Sequence, residues 1–402
     1  MNEIIIKEPM TEWKEYKLGE LTIDGKGSYG IAAPAVDYDS NKYTYLRITD
    51  INDDGTLNKN GLKSVDDKNA HKYLLQQNDI VFARTGASVG RSYFYDERDG
   101  ELVYAGFLIK YSIDPAKVNP KILKFYTHSQ AYYDWIQTVD NGATRGNINA
   151  QTYASMPIIL PERQEQDRIV SILSSLDDKI DLLHRENATL EQMAETLFKE
   201  CISNKDNDGT IEQIISVQNG YAFKSKDFKE TGEHKVIKIK NISGSIVDID
   251  ATDYVDNAVV MNISAKFKIN SGDVLIAMTG AEIGKLGIIP KNDNNIWLNQ
   301  RVGLLSEKFK GSKYLAYLQL KSDYGQDYIE NTATGSAQPN ISGSGIEKCG
   351  FPILRQENII RISNQVGELY DKLVFNLGQI NLLKDTRDFL LPKLMSNEII
   401  IT

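Results

Sequence analysis

The segment "DIVFARTGASVG", Asp79 to Gly90, returns 194 positions later as "DVLIAMTGAEIG", Asp273 to Gly284. Strand, Thr-Gly turn and small-residue loop recur together, which constrains the chain to two copies of one fold. Further matches keep the same order. "YLRITDI" (Tyr45 to Ile51) answers to "VIKIKNI" (Val236 to Ile242), and "NIN" (Asn147 to Asn149) to "NIS" (Asn340 to Ser342). "MPIILPERQEQDRIVSIL" (Met156 to Leu173) answers to "FPILRQENIIRISNQV" (Phe351 to Val366), with Gln164-Glu165 falling on Gln356-Glu357. All these offsets lie between 191 and 195. A period this long is a tandem duplication rather than a solenoid, each unit being a domain with an appendage.

Each half changes character at a proline-containing junction. Before it stand short β-rich runs such as "DIVFAR", "LVYAGFLIKYSI" and "DVLIAM", with helical pieces such as "PKILKFYTHSQAYYDWIQ". This pattern reads as an α/β (α+β) globular domain. After the junction comes one long helix. The expected partition is residues 1–160 as the first domain, 161–205 as a central helical spacer, 206–352 as the second domain and 353–402 as a C-terminal helical spacer.

Apolar positions in the first helix alternate by four and three: Ile169, Leu173, Leu176, Ile180, Leu183, Asn187, Leu190, Ala194, Leu197, Cys201. The second helix repeats the pattern as Ile362, Val366, Leu369, Leu373, Asn376, Ile380, Leu383, Arg387, Leu390, Leu394, offset by 193. Such spacing favours helix packed on helix over each helix lying only on its own domain. In parallel register each asparagine would face hydrocarbon. In antiparallel register with full overlap Asn187 meets Asn376, and a lone buried amide costs about 1–3 kcal/mol. An antiparallel coiled coil is therefore expected, about 48 Å long at ~1.5 Å per residue, with a similar domain at each end related by a pseudo-twofold axis. Arg387 is the misfit in the seam and is expected to snorkel to water.

Composition narrows the functional classes. The 402 residues carry 41% hydrophobic and 25% charged side chains, with no apolar run near the roughly 20 residues of a membrane helix. No membrane association is expected, and the N-terminal "MNEIIIKEPMTEWKEY" shows no export signal, so a cytoplasmic location is expected. Two cysteines and four scattered histidines give neither a disulfide framework nor a metal-ligand spacing, and no metal or cofactor is expected. "GAEIGKLG" (Gly280 to Gly287) falls one residue short of the phosphate-loop spacing and lacks the following Ser or Thr. The Asn/Asp-Pro-Pro-aromatic site of an adenine methyltransferase does not occur, and "DDK" (Asp177 to Lys179) reads as a solvated helix face. The chain is expected to be noncatalytic.

A net charge of −9 argues against nucleic acid, yet "YAFKSKDFKETGEHKVIKIKNI" interleaves Lys224, Lys226, Lys229, Lys235, Lys238 and Lys240 with aromatic residues, against the simpler account of a solvated face broken by Asp227, Glu230 and Glu233. Two similar but unequal heads on a rigid rod suit duplex DNA, whose half-sites lie about a helical turn (~34 Å) or more apart. They predict a split site with unlike halves.

At this point the sequence resembles a known family over its whole length, the specificity subunits of type I restriction-modification systems. The likeness rests on "LPERQEQDRIVSILSSLDDKIDLLHRENATLEQMAETLFKE" (Leu160 to Glu200), its weaker copy "PILRQENIIRISNQVGELYDKLVFNLGQINLLKDTRDFLLPKLMSNEI" (Pro352 to Ile399), the Thr85-Gly86 and Thr279-Gly280 turns and "NGATRGNIN" (Asn141 to Asn149). The resemblance implies two target-recognition domains separated by two long antiparallel helices. It further implies a bipartite asymmetric site on double-stranded DNA, helices that dock two DNA methyltransferase subunits, and a restriction nuclease-translocase subunit that joins through that assembly. The second copy departs from the first: it lacks the "LPE" lead, and "TATGSAQPNIS" has no arginine in place of Arg145.

The residues expected to meet DNA in the first domain are Arg84, Thr85, Ser88 and Arg91 around the turn, with Arg145 and Asn147 in the Gly-rich loop. In the second domain they are Lys238, Lys240, Thr279, Lys285, Gln338 and Asn340, with Lys224 as a phosphate contact. Arginine can take guanine bidentately, asparagine can take adenine, and either can anchor phosphate; the Thr-Gly turns are equally explained by hairpin chemistry. Two other classes stay open: a recognition subunit serving a fused methyltransferase-nuclease of another restriction type, and a scaffold for partners other than DNA.

Overall fold

The computed structural model describes residues 4–5, 13–140, 147–203, 205–292, 295–335, 339–396 and 398–401. It divides into two compact units, Met1–Asp178 with Lys384–Thr402, and Lys179–Leu383. Each unit contains one domain and a stretch of both long helices.

In the first unit, an antiparallel sheet runs in the order Ser28–Tyr29, Leu108–Ser112, Asp79–Ala83, Ser92–Phe94. Asp79–Ala83 is buried at every position, which explains why it reads as an uninterrupted apolar run rather than an alternating one. A second sheet runs Ala35–Asp37, Lys63–Val65, Thr44–Leu46, Leu102–Tyr104, its last pair parallel. The β-rich run "LVYAGFLIKYSI" is thus two strands in two sheets. The chain turns at Ala105, whose carbonyl accepts the Leu108 N–H at 2.8 Å. "PKILKFYTHSQAYYDWIQ" is likewise two helices, Lys121–Tyr126 and Gln130–Asp140.

The second unit repeats this plan. One sheet runs Ile215–Asn219, Val302–Glu307, Val274–Ala277, Leu286–Ile288; the other runs Asp253–Val255, His234–Ile237, Ile296–Leu298, Lys268–Ile269. His234–Ile237 and Ile296–Leu298 pair in parallel, as Thr44–Leu46 and Leu102–Tyr104 do.

The long helices are Arg163–Ile202 and Gln356–Met395. Every residue of both predicted seams is buried or half-buried. Within the second unit the helices run antiparallel: Ile180 and Leu183 cluster with Ile380, and Glu186 pairs with Lys372 at 3.4 Å. Asn376 Nδ2 donates to Asn187 Oδ1 at 2.9 Å, the pairing that the polar interruptions of the seam predict. In the first unit Leu391 and Leu394 share a cluster with Ile169 and Leu173. Arg387 departs from its expected place. Its side chain is only 18% exposed, because Asp177 of the other helix offers an acceptor at 3.2 Å, and a guanidinium that finds a carboxylate across the seam gains more than one stretched to water. No described helix is long and apolar enough to cross a membrane.

Candidate nucleic-acid interface

The duplicated turn is a closed loop fixed by the backbone. Thr85 is extended (φ −139°), Gly86 and Gly90 take φ of +74° and +85°, and the Gly90 N–H returns to the Ala83 carbonyl at 3.2 Å. In the second domain Thr279 is extended (φ −156°), Gly280 and Gly284 take +78° and +82°, and the Gly284 N–H returns to Ala277 at 2.9 Å. The positive φ values require glycine at these corners. At Gly90 and Gly284 space is also tight, since an added Cβ would lie 3.1 Å from the Ile136 side chain and 3.2 Å from that of Ile329, each of which would have to give way.

The Asn loops close on these turns. Thr85 bridges Asn147 and Thr279 bridges Asn340, while Ile148 N–H donates to Arg84 O at 2.9 Å and Ile341 N–H to Met278 O at 3.0 Å. The third residue of each motif caps the next helix: Asn149 Oδ1 accepts the Thr152 N–H at 2.9 Å, and Ser342 Oγ accepts the Gly345 N–H at 3.0 Å. "NIN" and "NIS" therefore recur for a structural reason, and their outer residues, Asn147 and Asn340, are left exposed beside the turn.

Side chains distinguish the two faces. Arg84 donates to Asn147 Oδ1 at 3.1 Å and lies 4.8 Å over the Tyr29 ring, whose hydroxyl accepts the Ala150 N–H at 3.1 Å. This fixes a planar guanidinium at the surface. Arg91 points elsewhere, pairing with Asp53 at 2.6 Å and the Ile51 carbonyl at 3.1 Å at the edge of a pocket that also takes in His128 and Tyr133. Ser88 is half-buried and its carbonyl closes the loop on the Arg91 N–H at 3.0 Å. Arg145 lies outside the described residues.

In the second domain Thr279 is buried and Lys285 is paired with Glu282. Lys238 and Lys240 share Asp253 at 3.2 and 2.9 Å, and Lys238 sits 3.3 Å over the Phe228 ring. Desolvation pushes the Asp253 carboxyl up, but the Lys240 and Lys238 ammonium groups beside it outweigh that and hold it below its usual range, so one carboxylate faces two lysines. Lys224 is exposed, and Gln338 lies outside the described residues. The sequence gives no signal for Asp253, which reaches Lys238 and Lys240 from a strand more than ten residues downstream and offsets one of their two charges.

The comparisons agree on one family. Residues 10–192 and 205–369 each match the family described as type I restriction modification DNA specificity domain. The HindI type I restriction enzyme specificity subunit of Haemophilus influenzae is 22% identical, over 97% of this chain and 100% of that protein. The MjaIX specificity subunit of Methanocaldococcus jannaschii is 22% identical over 66% of each chain. Among solved structures, the S subunit of a type I restriction-modification system from M. genitalium shares the fold, with a TM-score of 0.59 and 15% identity over 98% of this chain and 99% of that one. A duplicated domain matched twice by one family model, on a fold shared from end to end, places the chain in the family of type I restriction-modification DNA specificity subunits.

Proposed function

We propose that this chain is the noncatalytic recognition subunit of a type I restriction-modification complex, reading a bipartite, asymmetric site on double-stranded DNA with one domain per half. The functional partition is 1–160, 161–205, 206–352 and 353–402. The observation that carries the reading is the turn-and-loop module, built twice from the same backbone bonds and dressed with different side chains at its exposed corner. One backbone with two side-chain sets suits two unlike half-sites. The net charge of −9 does not oppose this, since Arg84, Lys224 and the Lys238–Lys240–Asp253 trio concentrate positive charge locally.

The helices dock two methyltransferase subunits, through which a nuclease-translocase subunit joins. Exposed apolar side chains outside the seam support this: Leu182 and Met193 on the first helix, and Phe375, Leu382 and Phe389 on the second, stand 45–67% exposed. Asn187 and Asn376 set the register between the helices.

The test is methylation-motif sequencing of DNA from a methylation-free host that expresses this chain with the methyltransferase encoded beside it. The expected result is a split motif with two unlike halves and a fixed gap. Absence of methylation from a co-purified complex supplied with cofactor counts against the reading. Arg145→Ala is expected to weaken or relax one half-site only, and equal loss at both contradicts its assignment.

A further inference from the structure

At one corner of the module the two domains exchange an arginine between neighbouring strands. The Arg84 N–H donates to the Phe107 carbonyl at 3.1 Å, and the Met278 N–H donates to the Arg301 carbonyl, also at 3.1 Å. The surrounding bonds correspond one by one. Leu108 N–H to Ala105 O (2.8 Å) matches Val302 to Asn299 (3.0 Å), Gly106 to Ile31 (2.9 Å) matches Gln300 to Tyr221 (2.9 Å), and Gly30 to Leu108 (3.2 Å) matches Gly220 to Val302 (3.2 Å). The ladder registers, Leu108 on Ala83 and Val302 on Ala277, make Arg84–Phe107 and Met278–Arg301 the next cross-strand pair in each domain.

The pair holds opposite contents. In the first domain the arginine is on the turn strand and the exposed member is Phe107, 61% accessible; in the second Met278 is buried at 5% and Arg301 is exposed. Directly opposed residues stand about 5 Å apart at Cβ, less than the reach of an arginine side chain, so a guanidinium from either strand serves the same patch beside the Thr-Gly turn. Arg301 makes no side-chain hydrogen bond or ion pair to any other described residue, whereas Lys238, Lys240 and Lys285 are each paired to a carboxylate.

We propose that Arg301 is the base-reading arginine of the second domain, the counterpart of Arg84, and that it takes the acceptor edge of a guanine in the half-site read by that domain. The inference rests on the DNA-recognition function proposed above. It is tested in the full complex by comparing the methylation motifs of wild type, Arg301→Ala, Arg301→Lys and Arg84→Ala. Arg301→Ala is expected to relax one position in one half, with discrimination there falling roughly 10- to 100-fold. Arg301→Lys should relax the same position, because an ammonium keeps the charge and loses the bidentate fork. Arg84→Ala should relax the other half. A motif unchanged in Arg301→Ala, relaxation in both halves, or full recovery in Arg301→Lys overturns the inference while a split wild-type motif leaves the DNA reading standing. If the wild-type complex gives no split motif, the two readings fall together.

Discussion

Asp177 and Tyr370 stand at equivalent places in the two helices, 193 positions apart, and each meets the helices of its own domain. In the first unit Asp177 accepts from Lys124 at 2.5 Å and from Arg387 at 3.2 Å, an ionic junction in which Asp177 is 15% exposed. In the second unit Tyr370, 1% exposed, stacks on Tyr314 at 4.6 Å and meets Tyr317 edge-on at 5.7 Å. The repeat place of Arg387 is taken there by Ala194, wholly buried in the same apolar cluster as Tyr370. One scaffold thus joins domain to helix by charge in one copy and by aromatic area in the other. Duplication has preserved the geometry of the junction and left its chemistry free. The same separation of backbone from side chain appears at the Thr-Gly turn proposed to meet DNA, where Arg84 and Arg301 come from different strands of one register pair.

The junctions should break differently. Tyr370→Ala removes a fully buried ring and is expected to cost about 3–5 kcal/mol, confined to the second unit. Urea unfolding read by hydrogen exchange in each unit checks this, and equal loss in both would show that the junction is not local. Asp177→Ala leaves Lys124 and Arg387 facing each other with only the exposed Asp388, 3.0 Å from Arg387, as an ion-paired counter-charge; because both cations are partly exposed the expected loss is about 1–3 kcal/mol, below the range for fully buried pairs. Salt separates the two further. Raising it should reduce the effect of Asp177→Ala and leave that of Tyr370→Ala unchanged, since screening acts on the ionic junction alone.

This contrast also marks how far the sequence could be read. The seam, its antiparallel sense within the second unit and the Asn187–Asn376 contact follow from periodicity and from the rule against lone buried amides. The pairing of each Thr-Gly turn with its Asn loop is visible only as two coincident repeats, which become one module once Thr85 bridges Asn147. What repeat matching misses is what differs between the copies. Phe107 and Arg301 share a structural position and no likeness, so a search for identities passes over both. Asp253 and Asp177 act through partners far away in the sequence, and periodicity carries no information about them. The turn at Ala105 is hidden because two buried strands of different sheets adjoin in one apolar stretch.

The asparagine pair sharpens the comparison at the seam, where the units use the same helices. Asn376 Nδ2 reaches Asn187 Oδ1, while Asn187 Nδ2 and Asn376 Oδ1 are buried with no partner among the described residues. Each single replacement by leucine strands the remaining amide and is expected to lose about 1–3 kcal/mol. Asn187→Leu/Asn376→Leu together should recover that loss or exceed wild-type stability, because a half-satisfied polar pair is poorer than a packed apolar one. A double-mutant cycle by denaturant titration measures the coupling, and additive losses would show that the two amides do not act as a pair.

The smallest effect expected is a pH dependence lodged in the first unit. His128 packs against the Gly55 turn, and its Nδ1 lies 2.9 Å from the Lys124 carbonyl. Burial holds its pKa below the ordinary 6.5, outweighing the Lys124 carbonyl bond and the Asp54 charge, which favour the cation. Above 6.5 the ring is neutral whether the chain is folded or unfolded, and it adds no slope. As pH falls below 6.5 the unfolded state takes up the proton first, so stability declines from 6.5 down through the lowered folded value. His128→Gln should flatten that part of the curve without removing the acid loss from carboxylates at lower pH. Denaturant midpoints between pH 7 and 5 give the comparison. An unchanged slope in His128→Gln would mean that the ring titrates in the folded unit as it does in the unfolded chain.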